Sequence, residues 1–453
     1  MGVVVRSRRL LQQLCCAGAL LCAATAWSAA EGPLRAGAAR VDITPRDLKG
    51  LWMVWAKPFS GVHDRLYARA VVIDNGIDTA ALVSTDLVEF GDTTLLRQRI
   101  QRELGIPAEH ILISATHDHN APRAGPIQAG TSSAEGRPYS PPSYIQLVDD
   151  AIVEALKQAQ ASLQPARVGV GRGRADINIQ RYGFDGKGWN GADPDGVSDK
   201  SVWVVKLESQ SGDTIALLMN YAVHSTVAGA DNTLITGDLA GAAERFVERH
   251  YRDKAVALWT MGPAGDQNPR YDPAAQDMHN KFASIKDANA AAFEAMDAMG
   301  LIVGSEAILT ANRISDMSGT ARIEAGESVF SCNTTPPRAP VQSSGPPRFA
   351  ANPDFHQTID YPKAMEFHLG LVQINQIALA GVSGEIFTRI YQHLQADSPL
   401  ANTILVTMSN GRIGYVGDDA SYDGPFRNAS VVRGCAEQGI VSGLVELMKQ
   451  HAQ

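Results

Sequence analysis

What most constrains the fold of this chain is a recurring way of ending a strand. Five short apolar runs have strand character: Ile111 to Ser114, Ile215 to Asn220, Val256 to Met261, Ile377 to Val382 and Thr403 to Thr407. Each finishes in small residues and is followed by a chemically capable side chain, in turn His117, His224, Asp266, Glu385 and Tyr415. Stretches of helical period lie between them: Ile145, Val148, Ile152 and Leu156 after the Pro141-Pro142 breaker, then Gly241 to Tyr251, Asp287 to Met299 and Val441 to Met448. Strands alternating with helices predict an α/β fold, a layered strand-helix catalytic domain with its active site at the strand ends. No fixed-period repeat and no break in composition divides the chain. Three long segments rich in Gly, Pro and polar residues, Ala124 to Tyr144, Tyr182 to Lys200 and Ser331 to Tyr361, read as functional loop insertions. With 45% hydrophobic and 19% charged residues in 453, a sizeable core is available, and disorder, collagen and coiled coil are excluded.

The first thirty residues read as a leader. Arg6, Arg8 and Arg9 precede an apolar stretch from Leu14 to Ala26, and Ser28 and Ala30 follow as small residues two apart. This is the layout of a cleaved secretory signal, which divides the chain into a signal peptide at 1–30 and one hydrolase domain at 31–453. Ser7-Arg8-Arg9 hints at twin-arginine export, against which Gln12 and the lack of Phe stand. An N-terminal membrane anchor is the alternative, disfavoured because a span needs about 20 apolar residues. The expected location is secreted or periplasmic, with no transmembrane segment after cleavage. Loss of three arginines and no acidic residue would take the formal charge from -8 to -11, which excludes a nucleic-acid partner. Cys332 and Cys435 would then remain in an oxidising compartment, where a disulfide is their simplest use. Two buried thiols are the other reading, since spacing alone cannot bring their Cα atoms within about 7 Å.

Several motifs carry chemistry to unequal degrees. Gly169-Val170-Gly171-Arg172-Gly173 resembles a phosphate loop, but the spacing is wrong and no helical pattern opens after it. Asp193, Asp195 and Asp199 lack the full calcium-loop pattern and read as a surface turn. The strongest local signal is Ile113-Ser114-Ala115-Thr116-His117-Asp118-His119-Asn120. Two histidines separated by one residue at a strand end project toward the same side, so both imidazoles address one cleft; a solvated strand end is the bland reading. His224 follows another apolar run, where a lone histidine is more often a satisfied core residue than a ligand. Its value comes from Glu385 and Tyr415 at later strand ends, because a hydrolytic zinc site needs several N or O ligands and one open position. Two templates fit poorly. A metallo-β-lactamase site would want Asp-His where Ala121-Pro122 stand, and an amidohydrolase barrel would want more strand-end histidines than His224 and a late Asp266.

Taken in order, the motifs resemble those of the neutral (non-lysosomal) ceramidase family, specifically its N-terminal catalytic domain. The resemblance runs through Ala36 to Pro45, Ser60 to Ala70, Ser114 to His119, Ile177 to Arg181, Ala222-Val223-His224, Thr236-Gly237-Asp238, Gly265 to Pro269 and Gly384-Glu385. It implies one Zn²⁺ per chain, held by His117, His224, Glu385 and Tyr415. It also implies a catalytic group of His119, Arg181, Asp266 and Asn268, with His63 and Tyr422 toward the substrate. The activity implied is cleavage of the amide of an N-acyl, ceramide-like lipid by a zinc-activated water. Two departures stand out. Asn268 occupies the family's serine position in Gly265-Asp266-Gln267-Asn268-Pro269, and an amide can donate a hydrogen bond but cannot act as nucleophile. The family's C-terminal β-sandwich is not expected after the helical Val441 to Met448. An ester or sugar-derived substrate on the same scaffold, and a non-catalytic secreted binding protein, are the competing expectations.

Overall fold

Val71-Val72-Ile73, Ala81-Leu82-Val83 and Ile111-Leu112-Ile113 are continuous apolar runs, as strands covered on both faces require. The computed structural model describes residues 30–54, 57–125, 140–183, 191–271, 285–335, 363–423 and 431–451, and there these runs become central strands. The expected signal peptide, apart from residue 30, and most of the three loop insertions lie outside the described residues.

The larger sheet has eight strands: β1 (Arg35–Asp42), β2 (Tyr67–Asp74), β3 (Thr79–Thr85), β5 (Ile111–Ala115), β7 (Gln164–Arg174), β9 (Ser201–Ser209), β10 (Thr214–Tyr221) and β11 (Val256–Met261). Between them come the short β4 (Glu89–Phe90), β6 (Arg123–Ala124) and β8 (Asn178–Gly183), with helices α1 (Thr94–Leu104), α2 (Pro142–Ala161) and α3 (Asp238–His250). After β11 follow β12 (Gln267–Pro269), α4 (Ile285–Arg313), β13 (Ile323–Asn333), β14 (Ala364–Ile374), β15 (Ile377–Val382), β16 (Glu385–Ile386), α5 (Thr388–Asp397), β17 (Asn402–Val406), β18 (Tyr415–Val416) and α6 (Ala436–His451). The spatial order is β11-β10-β9-β7-β1-β2-β3-β5 in the first sheet and β13-β14-β15-β17 in the second. Most ladders are antiparallel, but β3 and β5, β10 and β11, and β15 and β17 pair in parallel. The architecture is therefore α/β with mixed sheets.

The two sheets bury a common core, in which Val71, Ile73, Leu82 and Leu112 of the first meet Val372, Ile374, Leu379 and Val406 of the second. Alternate residues of β2, Ala68, Ala70 and Val72, face outward instead and pack under Val148, Ile152 and Leu156 of α2. Period 2 on the strand thus meets period 3.6 on the helix, and both strand faces are buried. α3 and α4 cover the remaining outer face around Trp259, and α5 and α6 cover the second sheet. The result is four layers, helix, sheet, sheet, helix. A disulfide joins Cys332 on β13 to Cys435 just before α6, with Cα atoms 5.8 Å apart, as expected of the pair.

The glycine motif on β7 finds its explanation here. A Cβ on Gly169 would lie 2.5 Å from Ile314 Cγ2 and 2.7 Å from the Asp316 carbonyl oxygen, and one on Gly171 would lie 2.8 Å from Thr310 Cγ2. Alternate glycines let α4 and its C-terminal extension lie directly on the strand.

Curling of the larger sheet decides where the site forms. β11 comes to rest beside β3 and β5, although it stands at the opposite edge, and Ser84 donates to the Trp259 carbonyl across the seam. Asn220 on β10 reaches the second sheet by donating to the Leu405 carbonyl (2.9 Å). The strand ends singled out in the sequence are thereby gathered at one place.

Candidate metal centre

His117 leaves β5 with φ +60°, in the left-handed region that costs a non-glycine residue about 1 to 2 kcal/mol. Strain of this kind persists only where the surroundings over-determine it. Those surroundings are the Val88 carbonyl, to which His117 Nδ1 donates (2.7 Å), and the segment 408–415 laid over the end of β5. Asn410 stitches that segment down: its backbone N donates to the Ile113 carbonyl (2.8 Å), its Oδ1 accepts from Ile113 N (2.9 Å), and its Nδ2 donates to the Ile111 carbonyl (3.0 Å).

His224 follows β10 and is fixed twice by one group. Its backbone N (3.1 Å) and its Nδ1 (3.0 Å) both donate to the Gln267 carbonyl. Glu385 and Tyr415 stand directly opposite each other in the parallel β16–β18 pair, so one two-residue ladder delivers both.

These elements aim four acceptor atoms at one spot. Glu385 Oε2 lies 3.2 Å from His117 Nε2 and 3.3 Å from His224 Nε2, and the Tyr415 hydroxyl oxygen lies 3.3 Å from His224 Nε2. Because each Nδ1 is committed as donor to a carbonyl, each Nε2 presents a lone pair. Lone pairs meeting a carboxylate at such distances require a positive charge between them, either a proton or a metal cation. Burial works against the proton by pushing the His224 imidazole down to about 4 and the His119 imidazole well below its ordinary range. Burial pushes the Glu385 carboxyl up, but His117, His224 and Arg412 outweigh it and hold it well below the usual carboxylate range. Imidazole nitrogens, a carboxylate and a phenol oxygen are a donor set that suits zinc.

His119 also joins the group. Its backbone N donates to the Ser225 carbonyl (3.1 Å), and its Nε2 lies 3.1 Å from His117 Nε2. Among the described residues, His117, His119 and His224 form a cluster of potential ligands whose nitrogens all lie within 4.8 Å of one another. Arg181 on β8 completes one wall: Nη1 donates to the Tyr415 hydroxyl (3.1 Å) and lies 3.5 Å from His224 Nε2.

The other candidates fall into two sets. Asn268 pairs with Ile179 across β8 and β12, and alternation places it on the same sheet face as Arg181. Asp266 braces rather than faces the cluster. Its Oδ1 accepts from Thr388 N (3.0 Å) and Oγ1 (2.7 Å), its Oδ2 accepts from Gln180 Nε2 (2.8 Å), and its carbonyl accepts from Arg181 N (2.9 Å). His63 and Tyr422 make their contacts elsewhere. The His63 ring stacks on Phe293 of α4 at 3.7 Å, and the Tyr422 hydroxyl donates to the Val431 carbonyl (3.0 Å).

Sequence reading missed the groups that fix the candidate ligands. The carbonyls of Val88 and Gln267 leave no trace in side-chain identity, so no motif could reveal them. Glu89 and Arg412 belong to none of the motifs singled out in the sequence, yet Glu89 is buried next to Val88.

Residues 35–342 match the model of the family described as neutral/alkaline non-lysosomal ceramidase, N-terminal. Neutral ceramidase A of Dictyostelium discoideum is 30% identical over 249 residues, covering 50% of this chain and 35% of that protein. Neutral ceramidase of Pseudomonas aeruginosa is 26% identical over 275 residues, covering 56% and 40%. The matched stretches thus span well under half the length of these relatives. The fold resembles the crystal structure of neutral ceramidase from Pseudomonas aeruginosa with a TM-score of 0.69 at 20% identity, covering 92% of this chain and 75% of that one. It also resembles a structure described as ceramidase complexed with C2, with a TM-score of 0.71 at 19% identity and coverage of 93% and 75%.

Proposed function

Because the chain belongs to the neutral/alkaline non-lysosomal ceramidase family, we propose that it is an exported zinc-dependent hydrolase that cleaves the amide of N-acyl lipids of the ceramide type. The convergence of two imidazole Nε2 atoms, a Glu385 oxygen and the Tyr415 oxygen carries this reading. His117, His224, Glu385 and Tyr415 would hold the ion, with His119 beside them. When bound, zinc would lower the pKa of water toward ~7 and polarise the scissile carbonyl.

The chain's own residues do the rest. Val88 and Gln267 keep the imidazole tautomers fixed, so no reorganisation is needed during the reaction. Burial keeps His119 neutral at pH 7, able to take a proton from the attacking water and return it to the departing amine. Arg181 stays charged beside Tyr415 and is placed to stabilise developing negative charge on the carbonyl oxygen, with Asn268 on the same face as a second donor. Asp266 holds the Arg181 backbone and the start of α5 in place.

Export fits the disulfide, which an oxidising compartment favours, and no helix among the described residues is long and apolar enough to cross a membrane. The test pairs metal analysis with turnover. Purified protein should carry about one zinc per chain, lose activity to a chelator and regain it with Zn²⁺. Full turnover by metal-free protein would end the zinc reading. A panel of N-acyl sphingosines, N-acyl amino acids and esters identifies the bond, and faster cleavage of the esters would replace the amide assignment.

A further inference from the structure

Glu385 presents its two oxygens to different partners. Oε2 meets the two histidines, while Oε1 lies 3.6 Å from Arg412 Nη2. Arg412 is itself anchored: its Nε lies 2.7 Å from Glu89 Oε2, and the other Glu89 oxygen lies 2.8 Å from Arg123 Nε. Glu89 and Arg123 are direct partners in the parallel β4–β6 ladder, so the backbone sets their approach. The Glu89 side chain is 1% exposed, whereas Arg412 and Arg123 are 14% and 16% exposed, so the acid is sealed beneath two guanidinium groups. Charges in this quartet cancel, as burial demands. The residue before Glu89 is Val88, whose carbonyl fixes the His117 tautomer. One dipeptide therefore reaches two of the proposed ligands, His117 through a carbonyl and Glu385 through Arg412.

We propose that Arg412, clamped by Glu89, which Arg123 holds in turn, is a positioning residue that fixes the rotation of the Glu385 carboxylate and thereby sets the affinity of the centre for zinc. A carboxylate on a short side chain turns freely about its last bond unless its second oxygen is held. Arg412 lies within ion-pair distance of that oxygen, which leaves Oε2 as the one that meets the histidines. The clamp matters because Arg412 sits on a segment without regular structure between β17 and β18, and Glu89 ties it to the two-stranded β4–β6 ladder.

The proposal rests on the metal reading, and its test separates the two. The zinc dissociation constant of the purified full chain is measured by competition with a chromogenic chelator, together with the melting temperature of the metal-free protein, for wild type, Arg412→Lys and Arg412→Gln. Arg412→Gln loses both the charge and the fork, and its zinc affinity should fall about 10- to 100-fold, the usual effect of removing a group that orients a ligand. Arg412→Lys keeps the charge on Glu89 but cannot fork to Glu385, so its affinity should lie between the two. The metal-free melting temperature should change far less than the affinity, since a merely structural role would move the first and spare the second. Wild-type affinity in a folded Arg412→Gln protein would overturn the proposal and leave the metal reading intact. If Arg412→Gln does not fold, Arg412→Lys decides: weaker zinc binding supports the proposal and wild-type affinity overturns it. Wild-type protein that binds no zinc would overturn both.

Discussion

A buried imidazole offers a fixed lone pair only while its other nitrogen has a fixed acceptor, and that condition is met at His117 and His224 through the Val88 and Gln267 carbonyls. Removing either ring would delete a proposed ligand atom. His117→Ala or His224→Ala should therefore yield folded protein with little bound zinc, whereas His393→Ala, an exposed histidine paired with Glu437, should bind wild-type zinc; metal analysis after dialysis distinguishes them. Asn268 poses a sharper question. If it donates to the carbonyl oxygen beside Arg181, Asn268→Ser keeps a donor and retains turnover, while Asn268→Ala loses ~10²- to 10³-fold in kcat. If it only braces the turn before Pro269, the Ala variant melts lower and keeps kcat, so melting temperature and kcat measured on the same three proteins decide. The side chains that converge at the site were legible because strand-end chemistry and motif order mark them. Their carbonyl anchors were not, because any residue carries a carbonyl.

Elements were legible where their period is strong and missed where the signal is local. The five apolar runs are strands and the four helical stretches are helices, but α1 and α5, each built around few buried residues, drew no notice. The glycine motif was rightly rejected as a phosphate loop, yet its alternation with period 2 already described a strand face lying against something close. Gly169→Ala should therefore cost ~1 to 3 kcal/mol by overpacking, because the new methyl meets the Asp316 backbone as well as movable side chains, and denaturant unfolding measures it. On α2 the strain is electrostatic. Asp149 is half-buried, its Oδ1 has no hydrogen-bond partner, and burial pushes its carboxyl up to about 6. The unfolded chain releases this proton near ~4, so from there up to about 6 the folded state binds more protons, and stability falls as pH rises through that window. Asp149→Asn should be more stable than wild type at pH 7.5 and equal to it at pH 3.5; equal stability at both values would show that the carboxyl is not strained.

At the scale of the whole molecule, the site exists because a curled sheet brings its own edges together and a second sheet closes over the seam. Sequence implied strand ends lined with chemistry but not the curl, which depends on contacts between β3 and β11, about 175 residues apart. The second sheet leads into the β16–β18 pair that brings Glu385 and Tyr415 to the site, so whatever loosens it against α6 should loosen the proposed metal centre as well. The disulfide is placed to oppose that loosening. Cys332 ends β13 on the outer edge of the second sheet, and Cys435 precedes the helix that covers it, 103 residues away. Closing a loop of that length removes unfolded-state entropy worth at most ~4 to 5 kcal/mol in the chain-entropy model. Non-reducing digestion should yield one joined peptide holding both cysteines, and two free thiols in exported protein would contradict the bridge. Cys332→Ser/Cys435→Ser protein should melt lower and release zinc faster near its midpoint, because the second sheet leads into the β16–β18 pair that holds two of the proposed ligands. If the double variant melts lower while zinc release at matched fractions of folded protein is unchanged, the bridge stabilises the chain globally and the second sheet is not the weak side of the centre.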